Sequence, residues 1–171
     1  AWLQADVTEP ACPAGWLEQA PDYLVISLVP AARNEAAYRT AYVQGTAHVL
    51  DWLRTHGQQP RRIFFVSSVG VYGQAEGEWV DEQSVTAPQR WSGRVMLEAE
   101  QLLLASGLPV TLVRLAGIYG GQRRSFLERV RQGYHADGYS NRLTNRIHEQ
   151  DAAGLLAHLL QRDAASESLA P

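Results

Sequence analysis

Short apolar runs alternate with longer amphipathic stretches along this sequence, and breaker residues separate them. A short apolar run bounded by proline, glycine or serine is typical of a strand buried on both faces of a sheet. Such runs predict strands at 22–29, 63–68 and 109–116, with a shorter one at 1–8 that ends at Asp6. Amphipathic stretches predict helices at 35–55, about 92–105, 125–132 and 151–160. Because the strands alternate with helices of ten or more residues, we expect an α/β fold with a doubly wound parallel sheet.

The predicted connections are polar and rich in turn formers. Residues 74–89 form a long loop, and long loops inside compact domains are often functional. The sequence GIYGGQRR, residues 117–124, is predicted to be a glycine-rich loop. Asn34 is expected to cap the helix that follows it.

Composition excludes several classes of function. The chain has 171 residues, 46% of them apolar, which suits one domain with a core of its own. Its net charge of -3 gives no electrostatic case for binding nucleic acid. All 15 basic residues are arginine, so no step can use a lysine ammonium or a Schiff base.

The single cysteine, Cys12, cannot form an internal disulfide. One thiol fits a reducing compartment, and we expect a cytoplasmic protein. The apolar runs are far shorter than a bilayer span, so no membrane partner is expected. No metal site is predicted.

Paired hydroxyls mark the end of the strand at 63–68. Ser67 and Ser68 close its apolar run just before Gly70. Ligands of open α/β sheets bind at the carboxyl ends of the strands, so these serines are the first candidates for chemistry. The alternative is that they only satisfy backbone groups at a strand end.

Six segments, in order, resemble the extended short-chain dehydrogenase/reductase superfamily, which contains nucleotide-sugar epimerases and dehydratases. The segments are DYLVISLVPAA, YVQGTAHVLDWL, FVSSVGVYG, SGRVMLEAEQLL, VTLVRLAGIYG and NRIHEQDAAGLL. SSVGVYG, SGRVML and RLAGIYG together look most like an atypical subgroup. The resemblance implies a Rossmann-type fold, NAD or NADP as cofactor, and a small-molecule substrate such as a nucleotide sugar.

The resemblance also implies roles for individual residues. Ser68 falls on the catalytic serine or threonine, and Ser92 and Tyr72 are further catalytic candidates. The cofactor is expected to meet Asp6, Val7, Leu28, Val29, Pro30, Ser67, Leu115, Ala116, Gly117 and Ile118. The substrate is expected to meet Tyr119, Arg123 and Arg124. The alternatives are that Ser92 is a helix N-cap, that both tyrosines only pack, and that the arginine pair is solvated.

Two departures from the family pattern stand out. The family's first βαβ unit carries a glycine-rich pyrophosphate loop, and nothing here matches it. The pattern therefore implies that N-terminal βαβ units are absent from this chain, and that residues 1–171 form a single partial domain with a truncated C-terminal substrate region. The family's tyrosine and lysine, four apart on one helix, align with Ser92 and Met96. Neither can replace that acid/base pair, and Met96 is expected to pack.

The helices at 35–55 and 92–105 correspond to the family's dimer helices. The resemblance thus implies a homodimer with Tyr42, Val49 and Trp52 partly at its interface, and the alternative is a monomer. Glu98 and Glu100 are expected on an exposed helix face.

The expected function is an epimerase/dehydratase-type oxidoreductase without the tyrosine–lysine pair. The competing hypotheses are a non-catalytic NAD(P)-binding sensor or scaffold, and a fragment that only pairs with another chain.

Overall fold

A computed structural model of the chain describes residues 4–18, 20–121, 128, 130–133 and 144–167. The chain divides into two compact units, Ala1–Arg114 and Leu115–Pro171.

A three-stranded sheet forms the centre of the first unit. Its strands are β1 (Tyr23–Ile26), β2 (Arg62–Ser68) and β3 (Val110–Leu115), and β2 lies in the middle. β1 and β2 pair in parallel, from Tyr23 opposite Arg62 to Ile26 opposite Phe65. The predicted α/β class and parallel sheet are confirmed.

The helices of this unit connect the strands. A 3-10 turn at Ala14–Glu18 precedes β1. After β1, α1 (Glu35–Tyr38) continues through a π-helical segment, Arg39–Gln44, into α2 (Gly45–Thr55), and α3 (Trp91–Ala105) follows β2. The predicted cap is confirmed, because the Ala37 backbone N–H donates to Asn34 Oδ1 at 2.9 Å.

The core lies between one face of the sheet and helices α2 and α3. Its buried members are Ile26, Val49, Trp52, Leu53, Ile63, Phe65, Val71, Met96, Ala99 and Leu103. Side chains alternate across a strand, so Phe64 faces the other side, and it is also buried at 2% exposure. The prediction that β2 is buried on both faces is therefore confirmed, as is the packing role of Met96.

The second unit contains a small parallel pair of strands and a helix. β4 (Gly117–Tyr119) pairs with β5 (Arg146–His148), and α4 (Glu149–Glu167) follows directly. The prediction that 117–124 is a loop was wrong for residues 117–119. Their strand conformation depends on a partner far away in the sequence, which a local glycine pattern does not reveal.

Several predicted boundaries also differ. The strand predicted at 22–29 ends at Ile26, where its pairing with β2 stops. No strand is present at residues 4–8, because Asp6 accepts hydrogen bonds from Thr8 in a turn. The helix predicted at 151–160 is longer, since it starts at Glu149 directly after β5. Of the helix predicted at 125–132, the described residues 128, 130 and 131 are helical.

Candidate functional site

Ser68 lies at the carboxyl end of the central strand. Its Oγ accepts a hydrogen bond from the Gly70 backbone N–H at 3.1 Å and so caps the 3-10 turn Val69–Val71. The capping alternative thus describes part of what this hydroxyl does. The side chain is nevertheless partly exposed, and its proton has no acceptor among the described residues. Ser68 can therefore donate that proton to a ligand while it keeps its cap.

Ser67 points into the protein instead. Its Oγ donates to Glu100 Oε1 at 2.5 Å, and the residue is 4% exposed. Adjacent residues of a strand face opposite sides, so Ser67 shares the helix-covered face of Ile63 and Phe65. With its hydroxyl directed at Glu100, Ser67 offers a ligand its backbone alone.

Glu100 is the centre of a buried polar network. Arg114 on β3 donates to both of its carboxylate oxygens, from Nε at 3.0 Å and from Nη2 at 2.8 Å. Glu100 is 1% exposed, so the expectation that it lies on an exposed helix face was wrong. The reason is its position four residues after Met96, on the stripe of α3 that faces the core. Glu98 lies outside that stripe and forms a surface ion pair with Arg39 at 2.7 Å.

Arg114 extends this network to Tyr72. Its Nη1 donates to the Tyr72 hydroxyl at 2.9 Å, and its guanidinium carbon lies 5.1 Å from the centre of the tyrosine ring. Hydrogen bonding to Glu100 raises the pKa of Arg114 above its ordinary value, against an opposing effect of burial. Arg114 is therefore a permanent cation beneath Tyr72.

The Tyr72 hydroxyl is engaged on both sides. It accepts from Arg114 and donates its proton to the backbone carbonyl of Asp81 at 2.9 Å. That geometry agrees with the alternative in which the ring packs and the hydroxyl is tied to backbone. In this arrangement Tyr72 directs no proton at a ligand.

The first turn of α3 lies beside the turn that follows Ser68. An ideal Cβ on Gly93 would lie 2.2 Å from the Gly70 carbonyl oxygen, so only glycine permits this approach. Ser92 precedes Gly93, which places it at the same end of the sheet as Ser68. Ser92 is not the N-cap of α3, because the helix begins at Trp91 and Arg90 is the capping residue.

The loop 74–87 starts and ends at this same place. A Cβ on Gly73 would lie 2.5 Å from the Ala87 carbonyl oxygen, which brings the two ends of the loop together. Asp81, in its middle, accepts hydrogen bonds from the Ser84 hydroxyl at 2.8 Å and the Gln83 backbone N–H at 3.0 Å, and these lower the pKa of its carboxyl group. Trp79 is fully exposed on this loop.

The predicted cofactor residues of the first unit lie on two segments that meet at α2. A Cβ on Gly45 would lie 3.0 Å from Val7 Cγ2 and 3.5 Å from Leu28 Cδ1. Asp6 is exposed, and hydrogen bonds from Thr8 lower the pKa of its carboxyl group. Val29 is 76% exposed and Pro30 partly buried. The cofactor role of these residues stays a prediction.

The remaining predicted residues belong to the second unit. Leu115 is buried at the end of β3, and Ala116, Gly117 and Ile118 lead into and along β4. Tyr119 is 49% exposed, with its ring edge-on to His148 at 5.2 Å between centroids. Arg123 and Arg124 lie outside the described residues. The ligand roles of this group stay predictions as well.

Sequence reasoning missed Glu100 and Arg114 as parts of the site. Two signals could have revealed them. Arg114 interrupts an otherwise apolar strand, VTLVRLA, and a charge inside such a strand needs a buried partner. Glu100 falls on the apolar stripe of an amphipathic helix, where that partner could be found.

Two of the residues expected at the dimer interface are buried inside the chain itself. Val49 and Trp52 are 4% and 3% exposed inside the chain's own core, so they are not available to a second subunit. The Trp52 indole N–H donates to the Pro10 carbonyl at 2.8 Å, which fixes the ring there. Tyr42 is partly buried against Tyr38, at 5.4 Å between ring centroids.

The described residues contain neither a membrane-spanning helix nor a metal-binding cluster. None of the described helices has the length and hydropathy needed to cross a bilayer. No cluster of three or more histidine, cysteine, aspartate or glutamate side chains suited to a metal ion occurs in the described part of the chain.

Comparison with known proteins adds independent information. Residues 1–166 match the model of the NAD dependent epimerase/dehydratase family. Protein YeeZ of Escherichia coli K12 is 34% identical over 145 residues, which are 82% of this chain and 48% of YeeZ. The chain therefore spans about half the length of this relative.

Solved structures give the same result. A protein of Methylobacillus flagellatus classed with the NAD-dependent epimerases/dehydratases is 37% identical, with a TM-score of 0.71 over 95% of this chain and 56% of its own. WbmG of Bordetella bronchiseptica, solved with NAD and UDP, is 22% identical, with a TM-score of 0.66 over 91% of this chain and 52% of its own. The second likeness concerns the fold alone.

Proposed function

The chain belongs to the NAD-dependent epimerase/dehydratase family, and on that premise we propose that the whole protein binds NAD or NADP and acts on a nucleotide-linked sugar or a similar small alcohol or carbonyl. The observation that carries this proposal is Ser68. It stands at the carboxyl end of the central strand, partly exposed, with a proton that no described residue accepts. In the proposed reaction Ser68 donates a hydrogen bond to the reacting oxygen of the substrate.

In the proposed cofactor site, Asp6, Val7, Leu28, Val29 and Pro30 contact the dinucleotide. Support comes from the convergence of Val7 and Leu28, one from each segment, on Gly45, and from WbmG, which holds NAD and UDP on a similar fold. Ser67 contributes backbone atoms, because its hydroxyl donates to Glu100. When bound, the nicotinamide supplies hydride transfer, and the protein positions the reacting oxygen.

Proton transfer distinguishes this chain from the pattern that it resembles. Ser92 stands at the tyrosine position, and a serine is not an acid near neutral pH without a base beside it. The Tyr72 hydroxyl donates its hydrogen bond to the backbone carbonyl of Asp81 and directs no proton at a ligand. The proton must therefore come from Ser92 with outside help, from water or from the substrate itself.

A second candidate function is a non-catalytic NAD(P)-binding sensor or scaffold. One observation favours it: Met96, at the lysine position, is 6% exposed and belongs to the core. A buried methionine cannot lower the pKa of a neighbouring acid. Both candidate functions share the cofactor, and they differ in turnover.

The experiment that tests the proposal uses the protein at full length. Calorimetric titration with NADH and NADPH measures binding, and turnover with a panel of nucleotide sugars is measured by chromatography of the products together with the absorbance of the reduced cofactor. We expect Ser68→Ala to lower turnover at least tenfold, as loss of one positioned hydrogen bond to a reacting oxygen does. Ser106→Ala is the control, because it removes a hydroxyl at the C-terminal end of α3, away from Ser68, and it should leave turnover within a small factor of the parent.

Three outcomes decide between the candidates. Cofactor binding with turnover that depends on Ser68 supports the enzyme. Cofactor binding without turnover on any substrate, with Ser68→Ala unchanged in every property, supports the sensor or scaffold. Absence of NADH and NADPH binding contradicts both.

A further inference from the structure

We propose that Tyr72 is a positioning residue, which together with Arg114 fixes the loop 74–87 beside Ser68, and that the loop in this position forms part of the substrate site. The last part of this proposal rests on the proposed function. The first part, which concerns the loop alone, stands on the hydrogen bonds around Tyr72.

Glu100, Arg114 and Tyr72 together form an anchor for the loop, and this anchor begins inside the protein at Glu100. Glu100 is 1% exposed and is bound by the Ser67 hydroxyl and by two donors of Arg114. Both guanidinium bonds are charge-assisted, and their two-point geometry leaves Arg114 little freedom to turn. Arg114 thus presents its remaining nitrogen, Nη1, in a defined direction toward Tyr72.

The anchor ends on the loop. Nη1 of Arg114 donates to the Tyr72 hydroxyl, which leaves that hydroxyl's proton for an acceptor on its other side. The acceptor is the carbonyl of Asp81, in the middle of the loop, at 2.9 Å. A hydroxyl polarised by a cation is a stronger donor than an isolated one, so this bond holds the loop more firmly than an ordinary surface contact.

The loop has few other attachments of this kind. Its two ends meet where Gly73 lies against Ala87, and its internal bonds, such as those from Gln83 and Ser84 to Asp81, shape the turn without connecting it to the sheet. Apolar side chains remain outside, with Trp79 fully exposed and Val85 73% exposed. The Tyr72–Asp81 bond is therefore the point at which the middle of the loop is tied to the buried network.

The position of the loop connects it to the site. The loop begins six residues after Ser68 and ends just before α3, whose first turn contacts the Gly70 carbonyl. Ligands of parallel α/β sheets bind at this end of the strands. A substrate oxygen at Ser68 thus places the remainder of the substrate next to the loop that Tyr72 holds.

The first test measures the loop without any ligand. Tyr72→Phe keeps the ring on Arg114 and removes the hydroxyl alone. Loss of the hydrogen bond from the Tyr72 hydroxyl to the loop carbonyl corresponds to an increase of up to about tenfold in the open population, and we expect cleavage by a glutamate-specific protease at Glu76, Glu78 and Glu82 to accelerate by about that factor. Hydrogen exchange of the amides of residues 83 and 84 gives a second readout, with amides of α3 as internal reference.

The matched control is Tyr38→Phe. The Tyr38 ring packs on Trp91 at 4.9 Å between centroids, but its hydroxyl has no hydrogen-bond partner among the described residues. This control should leave both loop readouts unchanged. Equal cleavage and exchange rates in Tyr72→Phe and the parent protein would overturn the proposal.

The second test measures the substrate side, with the full-length protein saturated with NADPH or NADH. UDP and UDP-glucuronic acid are the probes in calorimetry. We expect Tyr72→Phe to weaken their binding several-fold while the dissociation constant of the reduced cofactor stays unchanged, which a general loss of folding would not produce. The proposal that the loop forms part of the substrate site is overturned if the loop loosens while UDP binding is unaltered. It is also overturned if the parent protein does not bind UDP. Failure of the parent to bind any cofactor refutes the proposed function and leaves the loop result to stand by itself.

Discussion

Arg114 on β3 and Glu100 on α3 form a two-point ion pair, with Nε and Nη2 at 3.0 and 2.8 Å from the two carboxylate oxygens. The Arg114 side chain is 18% exposed and that of Glu100 1% exposed, so the carboxylate has almost no water to replace its partner. A strand and a helix are thereby joined at the end of the sheet where Ser67 and Ser68 lie.

Breaking this pair should destabilise the protein strongly. Glu100→Ala leaves the guanidinium of Arg114 without its counter-charge, and we expect a loss of about 3 kcal/mol in the free energy of unfolding. This value is at the lower end of the range for buried ion pairs, because the Arg114 side chain is partly exposed. Glu98→Ala, on the same helix, removes an ion pair whose side chains are 45% and 40% exposed, and it should cost less than about 1 kcal/mol. Urea unfolding measures both values, and equal costs would contradict the prediction.

Two glycines in helices should respond to alanine in opposite directions. Gly93→Ala places a Cβ against the Gly70 carbonyl oxygen and Pro88, and should destabilise the protein by about 2 kcal/mol through the displacement that it forces. Gly154→Ala, in α4, meets nothing within 4 Å and should stabilise by up to about 1 kcal/mol, the helix preference of alanine over glycine. Thermal unfolding gives the sign of each change, and stabilisation by Gly93→Ala would refute the close approach.

Substitution of a buried tryptophan and of an exposed one should have different effects on fluorescence and on the free energy of unfolding. Trp52 is 3% exposed and donates to Pro10, so Trp52→Phe should cost about 2 kcal/mol and remove a blue-shifted component of the fluorescence. Trp79 is fully exposed, so Trp79→Phe should change stability by no more than about 0.5 kcal/mol and remove a red-shifted component. A large cost for Trp79→Phe would show that its side chain is covered in solution.

The single cysteine provides a pH-dependent test. Burial raises the pKa of the Cys12 thiol, so alkylation of the folded protein should reach half of its maximal rate at a higher pH than alkylation in urea. Because the folded state holds this proton more tightly, the associated stabilisation is present below the ordinary pKa of a thiol and is lost as pH rises through the folded value. Iodoacetamide labelling across a pH series measures both midpoints. Coincident midpoints would contradict the burial of this thiol.

Much of the first unit was predictable from local pattern. The run at 63–66 identified a strand buried on both faces, because four consecutive apolar residues leave no side for water. Asn34 was identified as a helix cap, and Met96, an uncharged residue four positions after Ser92, as a packing residue. These features depend on residues within one or two turns of each other, which is the range over which sequence periodicity carries information.

Other features depended on pairings between distant residues. The strand Gly117–Tyr119 exists because it pairs with Arg146–His148, and its own glycines indicate a loop. The burial of Glu100 requires Arg114, which another element supplies. In both cases the free energy that selects the conformation comes from a partner that local pattern does not identify.

The sequence by itself determined the α/β order of the elements and the family resemblance, since both are written in residue identity and spacing. Only the tertiary structure decided which of the two serines faces the protein. Alternation in a strand dictates that Ser67 and Ser68 point to opposite sides, but both faces of β2 are apolar, so nothing in the sequence distinguishes them. The distinction arises because α3 brings a buried carboxylate to one face, and the serine on that face donates its proton to it.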